Sequence, residues 1–362
     1  MKSSSGEHYI ALDHVRAVAV YMVFAWHFLH ANGFPGSPVP YKYAPAVFPL
    51  ALLDEGYTGV ALFMTLSGYL FAKLLDGKRI RYGWFVWNRV LRLLPLLAVA
   101  LLLTGIQVYS RGDSVATYIS YIAWGALLPS LPNGAWSITV EFHFYLVLPL
   151  FLWMLRRSRW LPITIVALAL AARTLIFLDR GGVQAYAYYT IVGRIDQFTL
   201  GMILFQFRSA FARRHLLSIG CLLAFSLFYW VFDLRGGFYH NPSYPSTNPI
   251  WIVLPTIEGL AYAVAIAWYD SSFSPSNRGV SGFVGRIGSY SYSIYLLHFF
   301  LVFQAARFVS EYVMNISNFY LACLWSFGCF LLMMPIGYLS FRFIEAPFLA
   351  FRKRYTLPAP AA

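Results

Sequence analysis

The sequence predicts an all-α, polytopic membrane protein of about ten transmembrane helices. Three observations predict it. Only 11% of residues are charged against 59% hydrophobic, less than half the ~25% charged share of soluble domains. Apolar windows of about 20 residues, the length that crosses a bilayer, recur along nearly the whole chain. Lys and Arg gather on alternate loops, as membrane topology requires.

The windows fall at 9–31, 56–75, 88–109, 135–155, 161–178, 187–207, 215–232, 250–269, 287–309 and 318–344. Lys78, Arg79, Arg81, Arg89 and Arg92 follow the second; Arg156, Arg157 and Arg159 follow the fourth. Arg208, Arg213 and Arg214 follow the sixth, Arg278 and Arg286 lie between the eighth and ninth, and Arg352, Lys353 and Arg354 come after the last. The opposite loops hold only Lys42, Arg111, Arg180, Arg235 and, at a helix end, Arg307. Positive residues stay inside, so both termini are expected in the cytoplasm. That alternation holds only if 115–131, polar at its start and followed by Pro132, does not cross. It is expected to be re-entrant or interfacial.

The net charge of +13 is then mostly topology, which removes the case for a nucleic-acid partner. Cys221, Cys323 and Cys329 sit in apolar runs and give no disulfide or metal framework; no metal is expected. A single membrane domain is expected over 1–362, with a transmembrane core at 9–348 and a short basic cytoplasmic tail at 349–362. The polar start MKSSSGEH lacks a cleavage pattern and is expected to be retained. Loops 32–55 and 233–249, rich in Pro, Gly, Tyr and Asn, are expected to cap an outer mouth.

Chemistry concentrates in the first span. Arg16 and His27 stand eleven residues apart, about three turns, so they share a face roughly 16 Å apart along the axis. An Arg within a span costs about 2.5 kcal/mol or more and faces protein or a water-filled cavity. Arg16 also has an ordinary partner in Asp13, one turn back. His27 is expected in the middle to outer part of its span, where a neutral imidazole is the usual general base for a hydroxyl. Glu141, with Ser137 and Tyr145 one turn either side, is expected in the outer part of the fourth span. Arg194 and Asp196 enter the sixth, Glu258 the eighth, and His298 the ninth. Arg89 and Arg92, spaced i to i+3, stand at the cytoplasmic end of the third; topology accounts for part of their presence, and Arg forks also recognise phosphate. Ser67-Gly68 reads as a helix-packing site. One side of the membrane thus offers cations suited to phosphate, the other acid–base groups.

In that order these residues resemble the acyltransferase-3 family of integral membrane acyltransferases, over nearly the whole chain from Tyr9 to about Phe348. Leu12-Asp13-His14-Val15-Arg16-Ala17 with His27 is similar to the family's opening helix. Gly59-Val60 through Ser67-Gly68 resembles its second, and Asn88-Arg89-Val90-Leu91-Arg92-Leu93-Leu94-Pro95 its paired-arginine motif. Trp136-Ser137-Ile138-Thr139-Val140-Glu141 with Phe144-Tyr145 and Pro149 resembles a further signature. Arg194-Ile195-Asp196-Gln197-Phe198 with Gly201, Ser289-Tyr290-Ser291 with Tyr295 and His298, and Glu345-Ala346-Pro347 follow in order. His14 stands where the family usually has Gly, and Phe142-His143 follow the signature Glu, so no role passes to His14 or His143.

The resemblance implies transfer of an acyl group, acetyl from acetyl-CoA foremost, to a hydroxyl of an envelope polysaccharide, oligosaccharide or lipid-linked glycan. It implies no bound cofactor, acyl-CoA as a donor substrate, a bacterial cytoplasmic-membrane location, and glycan-assembly proteins as neighbours. It further implies a standalone enzyme, because no hydrolase-like domain of the SGNH type follows Pro347. Arg89 and Arg92 would hold CoA phosphates. His27 would act as general base or transient acyl carrier, Glu141 would orient it, and Arg16 would neutralise donor or oxyanion charge. Arg194, Asp196, Tyr145, Ser137 and His298 would bind substrate or support the site. Buried charge on many spans also suits a proton-coupled transporter, and a non-catalytic scaffold for glycan assembly is a further alternative; covalent label from acetyl-CoA on a glycan separates the three.

Overall fold

A computed structural model of the chain describes residues 9–31 and 38–358. The polar start, part of the loop 32–55 and the last residues of the basic tail lie outside the described residues.

The chain opens with α1 (Ile10–Leu29), winds through short helical turns over Phe48–Thr58, and continues as α2 (Gly59–Leu75). A short strand β1 (Lys78–Ile80) leads into α3 (Tyr82–Ser110), which carries Pro95 within it. After α4 (Val115–Trp124) come α5 (Trp136–Arg157), α6 (Ile163–Arg180), α7 (Ile191–Gln206) and α8 (His215–Leu234). Then follow α9 (Ile250–Ser272), α10 (Gly279–Ser289), α11 (Ser291–Leu297), α12 (Val302–Phe308), α13 (Phe319–Ser340) and α14 (Ala346–Leu349). Strand β2 (Thr356–Pro358) pairs antiparallel with β1, Arg79 opposite Leu357.

Among the described residues six helices are long and apolar enough to cross a bilayer, and the bent pair Ser291–Phe300 and Val302–Val313 makes a seventh. The rest of the expected ten are α1, α6 and α7. Each is diluted by polar groups or shortened: α1 by Asp13, His14, Arg16 and His27, α6 by Arg173, Asp179 and Arg180, and α7 by its length of 16 residues. The expected continuous span 287–309 is instead broken, turning by 58° after Phe300.

The segment 115–131 does not cross. Helix α4 has ten residues, about 15 Å of rise against a hydrocarbon core of about 30 Å. Ser114 caps its start by accepting from the Thr117 amide at 3.3 Å. Tyr118 lays it against α3 by donating to the Leu101 carbonyl at 2.5 Å, and Asn133 then donates to Thr104 at 2.9 Å. The chain therefore runs back along α3, so α5 starts near the level of Thr104 and not at the end of α3 at Ser110.

Small residues let the central helices touch backbone to backbone. A Cβ on Gly68 would lie 1.9 Å from the Phe198 carbonyl oxygen, and one on Gly201 2.1 Å from that of Thr65. The packing expected of Ser67-Gly68 is therefore the α2–α7 contact. Gly288 does the same for α10 against α1, where a Cβ would lie 1.8 Å from the Asp13 carbonyl oxygen. That contact sets α11, with the histidine that follows it, beside the second half of α1.

Candidate active site

Helices α1, α2, α3, α5 and α11 enclose a cavity of about 100 Å³. Its basic end, on the side of β1 and the chain's last residues, is lined by Arg16, Arg89 and Arg92; Glu141 and Tyr145 from α5 face them, and Ser137 and Tyr295 lie further up. Two arginines reach it because α3 places positions one turn apart on one face. The Arg89 guanidinium lies over the rings of Phe71 and Phe85 at 5.2 and 5.3 Å, and its Nε is buried with no hydrogen-bond partner among the described residues. Arg16 is paired with Asp13, the ordinary partner the sequence offered, yet still lines the cavity. Tyr145 donates to Glu141. Ser137 and Tyr295 share a hydroxyl–hydroxyl bond of 2.9 Å, and Tyr295 donates to the Gly134 carbonyl at 3.0 Å.

The histidines lie just beyond Tyr295. His298 Nδ1 is 2.6 Å from the Tyr295 carbonyl, and His27 Nδ1 is 2.8 Å from the Val23 carbonyl. A carbonyl only accepts, so each Nδ1 carries the proton. His298 Nε2 is then a lone pair, and it faces His27 Nδ1 at 3.2 Å, sharing the proton that also points at Val23. His27 Nε2 is left as a lone pair without a hydrogen-bond partner among the described residues. Phe299, Phe303 and Trp26 wall the ring, with Phe299 at 4.5 Å between centroids.

The expected pairing of Glu141 with His27 is not formed. Glu141 is five residues after the start of α5, and that helix begins near Thr104 of α3, so the carboxylate faces the arginines instead. Nor is Arg16 beside the imidazole: the shared face of α1 keeps them roughly 16 Å apart.

Arg194 and Asp196 do not line this cavity. Asp196 accepts from Arg173 and Thr256 at 2.7 and 2.5 Å, with both carboxylate and guanidinium fully buried. Arg194 donates to the Tyr188 carbonyl at 2.8 Å, lies 4.5 Å over the Tyr188 ring and approaches Glu258 at 3.5 Å. These pairs tie α6, α7 and α9 together. Arg173 escaped the sequence reading, although an Arg inside the window 161–178 is the same signal that drew attention to Arg16.

Also unforeseen is a group of acids under the loop 233–249. Asp54, Glu55 and Asp233 are buried together, and both oxygens of Glu55 accept from the Phe238 amide at 3.2 Å. Burial first, and then the charge of Asp54, pushes the Glu55 carboxyl well above the usual range, against the pull of the Phe238 N–H. His30 packs there too, donating toward Asp54 and away from His27.

Membrane-length helices around a cavity with arginines at one end and a histidine pair beyond the other define an integral membrane protein with an internal site. The acyltransferase domain matches residues 9–339, and the chain belongs to this acyltransferase-3 family. It is 26% identical to the peptidoglycan O-acetyltransferase OatA of Listeria monocytogenes serovar 1/2a, across 93% of this chain and 55% of that protein. It is 25% identical to the putative peptidoglycan O-acetyltransferase YrhL of Bacillus subtilis strain 168, across 53% of this chain and 32% of that protein. The chain thus spans about half the length of the first relative and about a third of the second. No solved structure matches significantly.

Proposed function

We propose that the protein is a membrane O-acetyltransferase that takes acetyl from acetyl-CoA at its basic end and delivers it to a hydroxyl of an envelope glycan. The observation that carries this is the cavity itself, with Arg16, Arg89 and Arg92 at one end and the unpaired Nε2 of His27 beyond the other. The naming of both relatives as peptidoglycan O-acetyltransferases supports a glycan acceptor. The basic end faces the cytoplasm by the positive-inside rule, with both termini there, and the membrane is the bacterial cytoplasmic one.

Arg89 and Arg92 hold the CoA phosphates through charge-assisted bonds, and Arg16 adds charge at the same end. Glu141 and Tyr145 balance and orient these arginines. The flexible arm of the donor then runs up the cavity to carry the thioester toward His27. His27 Nε2 takes the proton of the acceptor hydroxyl, and that oxygen attacks the thioester carbonyl. The C–S bond breaks, and the imidazolium returns its proton to the sulfur, leaving the acetyl ester and the CoA thiol. His298 is a positioning residue: its lone pair and the Val23 carbonyl keep the proton of His27 on Nδ1, so Nε2 stays free.

Membranes containing the protein, given acetyl-CoA labelled in the acetyl group, should transfer label to glycan in an alkali-labile ester. Label that stays on CoA, with glycan mass unchanged between producing and deletion cells, would overturn the proposal.

A further inference from the structure

The last residues of the chain are not a loose basic tail. Lys353 is clamped by Asn88 on both sides: its carbonyl accepts from Asn88 Nδ2 at 2.7 Å and its amide donates to Asn88 Oδ1 at 3.0 Å. Tyr355 is 1% exposed and packs on Phe85 at 5.5 Å, while its carbonyl accepts from the Arg81 amide at 2.8 Å. Beyond it, β2 is zipped onto β1. These anchors belong to β1, to Arg81 just before α3, or to the start of α3, the helix that carries Arg89 and Arg92. Asn88 is the residue before Arg89 and four before Arg92, and Arg352 is the residue before the clamped Lys353.

The docking therefore holds half-buried Arg352 in the field of the cavity arginines. Burial, followed by the charges of Arg92 and Arg89, pulls its guanidinium down to about 10, with Tyr355 and Glu345 pushing the other way. It stays cationic at neutral pH. Asp13 is paired with Arg16, and Glu141 and Glu345, which accept from the Tyr145 and Ser293 hydroxyls, lie near Arg89, Arg92 and Arg352 as two carboxylates against three guanidiniums. Neither Arg92 nor Arg352 has an ion pair among the described residues. Bringing like charges together at a partly buried mouth is unfavourable unless a polyanion is to be bound there. Two arginines one turn apart on a single helix present one fork to one phosphate; a third from a separate element surrounds a ligand carrying phosphates at more than one position.

We propose that the docked C-terminal segment supplies Arg352 as a further donor-binding residue, which with Arg89 and Arg92 grips the 3′-phosphate and diphosphate of coenzyme A. This rests on acyl-CoA being the donor. It makes the segment after the last helix part of the donor site and Asn88 the residue that positions it.

The test uses the whole protein in nanodiscs of neutral phosphatidylcholine, measuring coenzyme A binding by calorimetry and turnover with acetyl-CoA and with acetyl-pantetheine, which lacks the phosphates. Arg352→Ala should weaken CoA binding and raise KM for acetyl-CoA about 10- to 100-fold, leaving kcat and the KM for acetyl-pantetheine unchanged. Arg352→Lys should recover part of the loss, and Asn88→Ala should show the same split more weakly. Exposed Arg354→Ala should behave as wild type. Unchanged CoA binding by Arg352→Ala, or equal losses with both donors, would overturn the assignment. So would a loss seen only when anionic lipid replaces phosphatidylcholine, since the cluster would then hold headgroups. Wild-type protein that binds no CoA would instead overturn the donor assignment itself, and this proposal with it.

Discussion

Replacing His298 by Ala tests how the two histidines divide their work. The Nδ1 proton of His27 has two acceptors, the Val23 carbonyl at 2.8 Å and His298 Nε2 at 3.2 Å. Removing His298 takes away the longer of the two and leaves the shorter, so the tautomer that frees Nε2 survives. One neutral hydrogen bond contributes about 0.5–1.5 kcal/mol, which converts to a fall in kcat of about 2- to 12-fold. Removing His27 removes the base itself and should cost about 10²- to 10⁴-fold. Because His298 acts through His27, the double variant should be no slower than His27→Ala alone. The assay is acetyl transfer from labelled acetyl-CoA in membranes normalised for protein amount. If His298→Ala were as inactive as His27→Ala, or if the two losses multiplied in the double variant, His298 would be doing chemistry of its own and the division proposed here would be wrong.

Three further outcomes are expected. Arg89→Ala and Arg92→Ala should each raise KM for acetyl-CoA about 10- to 100-fold; a fall in membrane abundance with KM unchanged would make them topology signals only. Arg173→Ala strands the fully buried Asp196 and should destabilise the protein by about 3–5 kcal/mol, read as a lower unfolding temperature in detergent, with Arg173→Ala/Asp196→Ala partly recovered; an unshifted unfolding temperature in the single variant would refute the pairing. Glu55 has a folded pKa raised above its unfolded value, so the folded state favours its protonated form, and stability falls as pH rises above the ordinary carboxyl range. Glu55→Gln should therefore flatten the decline of stability from pH 5 to pH 8; an unchanged slope would place the titration elsewhere.

Spans and loops were legible because crossing a bilayer imposes length, apolarity and the positive bias on the sequence itself. The shortness of the stretch 115–131 was legible for the same reason, since a full crossing there would have broken the charge alternation. Depth was not legible. Glu141 was expected near His27, but its height depends on where α5 begins, and that follows from how far 115–134 dips along α3, which no periodicity encodes. His298 was recognisable as a supporting group, while its contact with His27 needed the close approach at Gly288 to bring α10 and α11 against α1. Arg194 and Asp196 drew attention as buried charges, and the partners that make them structural, Arg173, Thr256 and Glu258, lie on neighbouring helices. Arg352 looked like one of several basic residues after the last span. The Asn88 clamp and the β1–β2 pairing dock the segment, and partial burial beside Arg89 and Arg92 then distinguishes Arg352 from exposed Lys353 and Arg354.

The most direct test is sidedness. Purified protein would be reconstituted in liposomes, with acetyl-CoA supplied on one face and a glycan acceptor enclosed on the other. Wild type oriented with its basic end toward the acetyl-CoA should acetylate the enclosed acceptor, and His27→Ala in the same orientation should lose at least about a hundredfold of that rate. Transfer that proceeds only when donor and acceptor share a face, or that survives the loss of His27, would contradict a through-membrane acetyl transfer built on this cavity.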